Sequence, residues 1–348
     1  MAAIFDYCSC NNVEGLLKYI HAKGYKILNV KNGSGNTPLH IAASFNSKEC
    51  LEFLLGLKCT AVLVNAKNNG GFTPLHHAAE CNSKKCLEIL LKTEGIDVNA
   101  KSNDGYTPLH DAVERNSKKC LKVLLGMKGI DVNAKSNDGD TPLHLAIANN
   151  YIKCLELLLN AKGLNIDVNI KDRDGYTSLH LAAMNNSKKC LKVLLSTEGV
   201  DVNAKNIYGD NSLHCAAKHN SKECLEILLD TASGDIDVNA KNNSGRTPLH
   251  VAVIKNYLEC LKILLDTASG AIDIDAKDML GDTPLHLAAY YNSKESLKVL
   301  LEYGVDASIQ DNDGKTFLDH IDDKDFKKEI EEYVQQLSTL HLKEPGFF

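Results

Sequence analysis

Apolar residues along this chain fall in short runs that return at a fixed interval. A Cys-Leu pair opens one such run at Cys50-Leu51, and two more apolar residues follow at Leu54-Leu55. Lys or Glu fills the sites between, as at Glu52, Glu88 and Lys122. The spacing predicts one apolar stripe on a helix whose opposite face is solvated. The Cys recurs at Cys86, Cys120, Cys154, Cys190, Cys224 and Cys260, with Ser296 in the last place. Thirteen residues before each lies a second signal, the tetrapeptide Thr37-Pro38-Leu39-His40. Thr73, Thr107, Thr141, Thr247 and Thr283 open full copies, and Thr177-Ser178-Leu179-His180 and Asn211-Ser212-Leu213-His214 are variants. The steps are 36, 34, 34, 36, 34, 36 and 36 residues, and a degenerate copy, Thr316-Phe317-Leu318-Asp319, follows after 33.

Each position has a physical reason. Thr caps a helix, and Pro suits its first turn, where no donor is needed. Leu begins the buried stripe, and His can bond backbone and tie one loop to the next. Nine residues after each Thr stands an Asn (Asn46, Asn82, Asn116, Asn150, Asn186, Asn220, Asn256, Asn292), the residue that tolerates a left-handed turn between two helices. After the second helix comes Ile-Asp-Val-Asn-Ala-Lys or a relative, then an Asn-Asp-Gly type turn, which reads as a short extended arm.

These residues resemble the ankyrin repeats: Gly, one residue, Thr-Pro-Leu-His, an Ala pair, a two-helix hairpin and a closing Asp-Val-Asn-Ala. The resemblance covers about residues 33 to 320. It implies an all-α ankyrin solenoid, a curved elongated stack of helix-turn-helix units with short hairpin arms. Residues 1–34 are expected to form a capping helix pair, 35–313 eight repeats, 314–340 a capping repeat and 341–348 a tail. The repeats exceed the usual length of about 33 residues. The extra residues fall just after the second helix, best seen at Thr231-Ala232-Ser233-Gly234 and Thr267-Ala268-Ser269-Gly270.

Composition narrows the function. With 44% hydrophobic and 24% charged residues this is an ordinary folded chain; with 6% aromatics and no Trp its core is aliphatic. A net charge of −6 argues against nucleic acid as partner. No run of about 20 apolar residues is present for membrane insertion, and no secretory signal is visible at Met1–Asp6. The expectation is a cytoplasmic, monomeric protein, in its own cell or in a host cytosol.

Thirteen His and twelve Cys invite a metal or thiol chemistry, yet eight His belong to the tetrapeptide and seven Cys to the helix stripe. Their even recurrence is what packing produces. No phosphate loop, nucleophile elbow or acid–base pair is present, so no enzyme, cofactor or metal is expected.

In the ankyrin family partners commonly contact the hairpin tips and first helices, and that is what the resemblance implies here. Positions that break the repeat's monotony then mark the face. Just before each Thr stand Asn36, Phe72, Tyr106, Asp140, Tyr176, Asp210, Arg246 and Asp282. Four after it, His77, Asp111 and Cys215 replace the usual Leu, Ile or Val. The binding surface is expected at Phe72, His77, Tyr106, Asp111, Arg115, Asp140, Tyr176, Met184 and Tyr208, with aromatics exposed at the tips as anchors. Asp138, Asp140, Asp174, Asp210 and Asp282 tint those tips acidic, which favours a protein partner with a basic patch. The function expected is a non-enzymatic adaptor scaffold or a host-directed effector. Two alternatives are a spacer and a substrate of asparaginyl hydroxylation, which the resemblance places at Asn99, Asn133, Asn203 and Asn239. Loss of the helix-start Pro at Ser178 and Ser212 makes residues 175 to 215 the softest stretch.

Overall fold

The computed structural model describes residues 2–57, 64–231, 236–267 and 271–341. The extra residues at 232–234 and 268–270 and the tail 342–348 lie outside that set. Among the described residues there are nineteen α-helices and no strand. None is long and apolar enough to cross a membrane. The chain divides into two units, Met1–Arg173 and Asp174–Phe348.

The first unit opens with helices Ala2–Ser9 and Val13–Lys23 and a 3-10 turn, Tyr25–Asn29. Four helix pairs follow. Their first helices are Pro38–Ser44, Pro74–Glu80, Pro108–Glu114 and Pro142–Ala148; their second helices are Lys48–Gly56, Lys84–Leu90, Lys118–Leu124 and Ile152–Leu159. The second unit repeats the plan with first helices Ser178–Met184, Ser212–Lys218, Pro248–Ile254 and Pro284–Tyr290. Lys188–Leu195, Lys222–Thr231, Leu258–Thr267 and Lys294–Glu302 are its second helices, before a 3-10 turn, Phe317–His320, and a last helix, Lys324–His341.

Within each unit first helices pack on first helices and second on second, so the core is a row of Leu, Ala and Cys side chains rather than one central cluster. Each hairpin turns at its Asn, whose φ lies between 50° and 57° in all eight repeats. Asn11 adopts the same left-handed turn between the two opening helices. The loops approach each other closely. At Gly105 (φ +79°) an added Cβ would sit 2.7 Å from the Asn137 backbone nitrogen, so only glycine fits. The Asn137 N–H donates to the Asp104 carbonyl at 2.9 Å, and this bond joins one turn to the next.

Candidate protein-binding surface

The repeated polar residues are consumed inside the stack. The Thr37 backbone N–H donates to His40 Nδ1 at 3.1 Å, and the Thr hydroxyl lies 2.8 Å from the same nitrogen. This is a capping box in which His takes the usual Glu place. With Nδ1 accepting, the ring is neutral and its Nε2–H donates to the Phe72 carbonyl at 2.9 Å. His76 and His110 repeat the bond to Tyr106 and Asp140; in the second unit His180, His214, His250 and His286 do so to Asp210, Arg246, Asp282 and Lys315. Burial pushes His40, His76, His110, His144 and His250 down to about 4.

The cysteines of the second-helix stripe are spent as well. Cys86 and Cys120 offer their backbone N–H to Asn46 and Asn82 Oδ1 of the preceding repeat at 3.3 and 3.4 Å. The Ser296 hydroxyl donates to Asn256 Oδ1 at 2.8 Å, in the place where the Cys260 thiol meets Asn220 Oδ1 one repeat earlier. Burial lifts the Cys86, Cys120 and Cys224 thiols to about 12, so none is a nucleophile at neutral pH.

What remains is carried by residues that break the repeat. In the first unit Phe72, Tyr106, Asp111 and Arg115 meet in one hollow of about 490 Å³, together with Glu80, Asp104, Glu114, Asn137 and Asp138. The expectation of exposed aromatic tips needs correcting. Phe72 and Tyr106 are half-buried, because the residue before the capping Thr folds its ring onto the ladder imidazole: Phe72 edge-on to His76 at 5.7 Å, Tyr106 stacked on His110 at 5.2 Å. Tyr176 in the second unit does the same with His180 at 5.9 Å. Burial and the acids around them lift Tyr106 and Tyr176 to about 12.

The first-helix deviants are also less exposed than expected, since the fourth position faces the adjoining repeat. His77 is half-buried, its Nδ1 3.1 Å from the Ser44 hydroxyl and its Nε2 3.2 Å from Asn68 Nδ2. Asp111 is only 4% exposed, and its Oδ2 has no hydrogen-bond partner. Burial, reinforced by Glu80 and Glu114, raises its pKa to about 8. Arg115 reaches across to Glu80 Oε1 at 2.9 Å. Asp140 is half-buried outside this hollow, raised to about 6 by burial and by Asp172 and Asp138.

In the second unit Tyr208 is 51% exposed, with the Lys218 ammonium 5.6 Å above its ring. Met184 is half-buried, and its carbonyl accepts from the Ser221 hydroxyl. The acidic tips divide. Asp138 and Asp174 face solvent, whereas Asp210 and Asp282 are buried beneath their turns; Asp210 accepts from Asn242 Nδ2 at 2.8 Å.

Models of the ankyrin repeat family (three copies) match residues 4–102, 63–136, 134–206 and 179–278, and a model of many ankyrin copies matches residues 268–321. The chain is an ankyrin repeat protein. Its structure is similar to the crystal structure of the ankyrin repeat domain of Bcl-3, a unique member of the IkappaB protein family. That likeness has a TM-score of 0.59 and 29% identity, over 66% of this chain and 100% of that one. No curated protein matches the chain.

The ankyrin loops hold a second ladder that the sequence reading saw only as an arm. Asn99 Nδ2 donates to the Gly129 carbonyl at 2.8 Å while its Oδ1 accepts from the Asp131 N–H at 2.9 Å. Asn133 and Asn239 bridge in the same way, and Asn203 Oδ1 accepts from the Asp237 N–H. The four asparagines named for hydroxylation are thus ties between loops. Lys67, Lys101 and Lys135 each donate to the carbonyl of the equivalent lysine one repeat on, at 2.7–2.8 Å. The step-wise recurrence of Asn and Lys was the available signal.

The most exposed apolar residues of the second unit include Met279 and Leu280, which the sequence pattern did not mark out, and Tyr290, which breaks the pattern two places before Asn292. Met279 and Leu280 at one tip are 67% and 64% exposed, and Tyr290 at the end of the neighbouring first helix is 65% exposed. Leu280, Tyr290 and Tyr291 help line a hollow of about 400 Å³. At its base Asp282, Asp311 and His320 hold ligand-type atoms within 4.8 Å of one another. His320 Nε2 is 2.9 Å from Asp311 Oδ2. The same three positions in the first unit are Asn36, Asn68 and His77, joined through Asn68 Nδ2 at 2.7 and 3.2 Å. A hydrogen-bond network that the repeat geometry builds from amides needs no ion to explain it.

Proposed function

We propose that this ankyrin chain is a non-catalytic scaffold that holds a partner protein on its hairpin tips and first-helix faces. The observation that carries this reading is the exposure of large apolar side chains there: Ile207, Tyr208, Met279, Leu280, Tyr290 and Tyr291. Apolar area left in water at tips and helix ends, amid polar surroundings, marks an interaction surface. The repeated His, Cys, Asn and Lys are bonded within the stack, which supports a non-catalytic role. An adaptor, or an effector delivered into a host, would work through the same face.

Affinity capture followed by mass spectrometry tests this. The parent chain is compared with a Phe72/Tyr106/Tyr176 triple alanine variant and a Met279/Leu280/Tyr290 triple alanine variant. Loss of a protein from either variant, with helical content retained, supports the reading. Identical capture by all three removes the face.

A further inference from the structure

We propose that the hollow lined by Phe72, Tyr106, Asp111 and Glu114 receives the guanidinium of an arginine side chain from the bound partner; this rests on the interaction reading above. Asp111 is the reason. A carboxylate oxygen buried with no donor is costly unless something else supplies one. Most other repeats place an aliphatic residue at this position: Ile41, Leu145, Leu181, Val251 and Leu287.

The lining carries five carboxyl side chains (Glu80, Asp104, Asp111, Glu114 and Asp138) against one cation, Arg115. Arg115 spends its contact on Glu80, so a guanidinium is already accepted at this hollow while Asp111 Oδ2 is left without a donor. A planar fork with five donors suits several carboxylates presented from two helices and two loops, and stacks on aromatic faces such as those of Phe72 and Tyr106. An ammonium is a compact point charge and uses neither feature as well.

The site carries its own pH signature. Asp111 has its pKa near 8 in the free protein, so a cation must displace its proton. The other titratable groups on the helices packed together here are Glu80, His76 and His77 on the preceding first helix, and His110, Glu114 and Arg115 on its own. Asp104, Tyr106 and Asp138 come from the loops, and His144 from the following helix. His76, His110 and His144 are held neutral, and Tyr106 stays protonated. Asp111 therefore changes charge between pH 7 and 8.5. Only its ionised fraction binds, so apparent affinity should rise about eightfold over that interval.

The test is an NMR titration of the full chain with Nα-acetyl-arginine amide up to about 20 mM, at pH 7 and 8.5. The expected result is saturable shifts around Asp111, about eightfold tighter at the higher pH. Asp111→Asn, whose spectrum shows whether it is folded, should bind at least tenfold more weakly and lose the pH dependence. Absence of saturation, equal binding by Asp111→Asn, or equal binding of Nα-acetyl-lysine amide would overturn the proposal. Tighter binding of free arginine than of the blocked amide would overturn the peptide source. If the titration fails while partner capture still depends on Phe72, Tyr106 and Tyr176, this inference falls and the scaffold reading stands; if capture is unchanged in every variant, the scaffold reading falls.

Discussion

Replacing Asp111 with leucine should make the protein more stable, and increasingly so as pH rises. The carboxyl ionises near 3.8 in an unfolded chain and near 8 when folded. Between those values the folded chain holds a proton that the unfolded chain has released. The folded pKa of this acid is raised, so stability falls as pH climbs through the window. From pH 3.8 to 7 is about three units, each about 1.4 kcal/mol, so Asp111 costs about 4 kcal/mol at neutrality. At pH 4.5 the same reckoning leaves a cost of about 1 kcal/mol. Leucine removes that cost at every pH and adds roughly 1–2 kcal/mol by burying aliphatic surface where Leu145 and Leu287 already sit. Urea unfolding of parent and variant at pH 4.5 and 7 measures the difference. The stabilisation should widen by about 3 kcal/mol between the two. Because both proteins share the histidine ladder, its own pH dependence cancels. A destabilised variant, or a gain that does not change with pH, would refute the assignment of a raised pKa to a buried, partnerless carboxyl. The stabilisation should also come with weaker arginine binding, since function is what the cost would be retained for.

Three further outcomes follow from the same geometry. His40, His76, His110, His144 and His250 have folded pKa values lowered from 6.5 to about 4, so between those limits the unfolded chain binds more protons and stability is lost as pH falls. Proton uptake on unfolding near pH 5.3 should approach one for each of these five imidazoles, and NMR titrations of the same five near 6.5 in the folded chain would contradict it. Ser178 and Ser212 bury hydroxyls that lack partners where other repeats have Pro. Ser178→Pro and Ser212→Pro should each stabilise by about 1 kcal/mol or more and slow hydrogen exchange across residues 175–215; exchange there that is already as slow as in residues 105–140 would contradict the softness. Among the described cysteines, Cys10 and Cys81 are the exposed ones. Of these two, Cys10 should react faster with a thiol reagent than Cys81, because burial and Glu80 raise the Cys81 pKa; fast labelling of Cys86 or Cys120 would show the packing to be wrong.

The repeat fold was legible because its determinants are local and recur. A Thr that caps, a Pro that starts, an Asn whose φ is positive and an apolar stripe are each decided within a few residues, and the step between copies sets the phase of the stack. The proposed binding positions were legible only as departures from that pattern. What a departing side chain does depends on groups some thirty residues away, brought alongside by the packing of one repeat on the next. His77 finds Ser44 and Asn68 and is satisfied; Asp111, at the same place one repeat later, finds no donor for Oδ2. Phe72 and Tyr106 break the pattern visibly, yet only the fold shows their rings laid against the ladder instead of standing free. Met279 and Leu280 were hidden in a turn whose polarity drifts from copy to copy, and their exposure came to light only once the turn was placed. Local chemistry determines which hairpin forms; the company each side chain keeps is decided by the stacking, because solvation and partners belong to the neighbours.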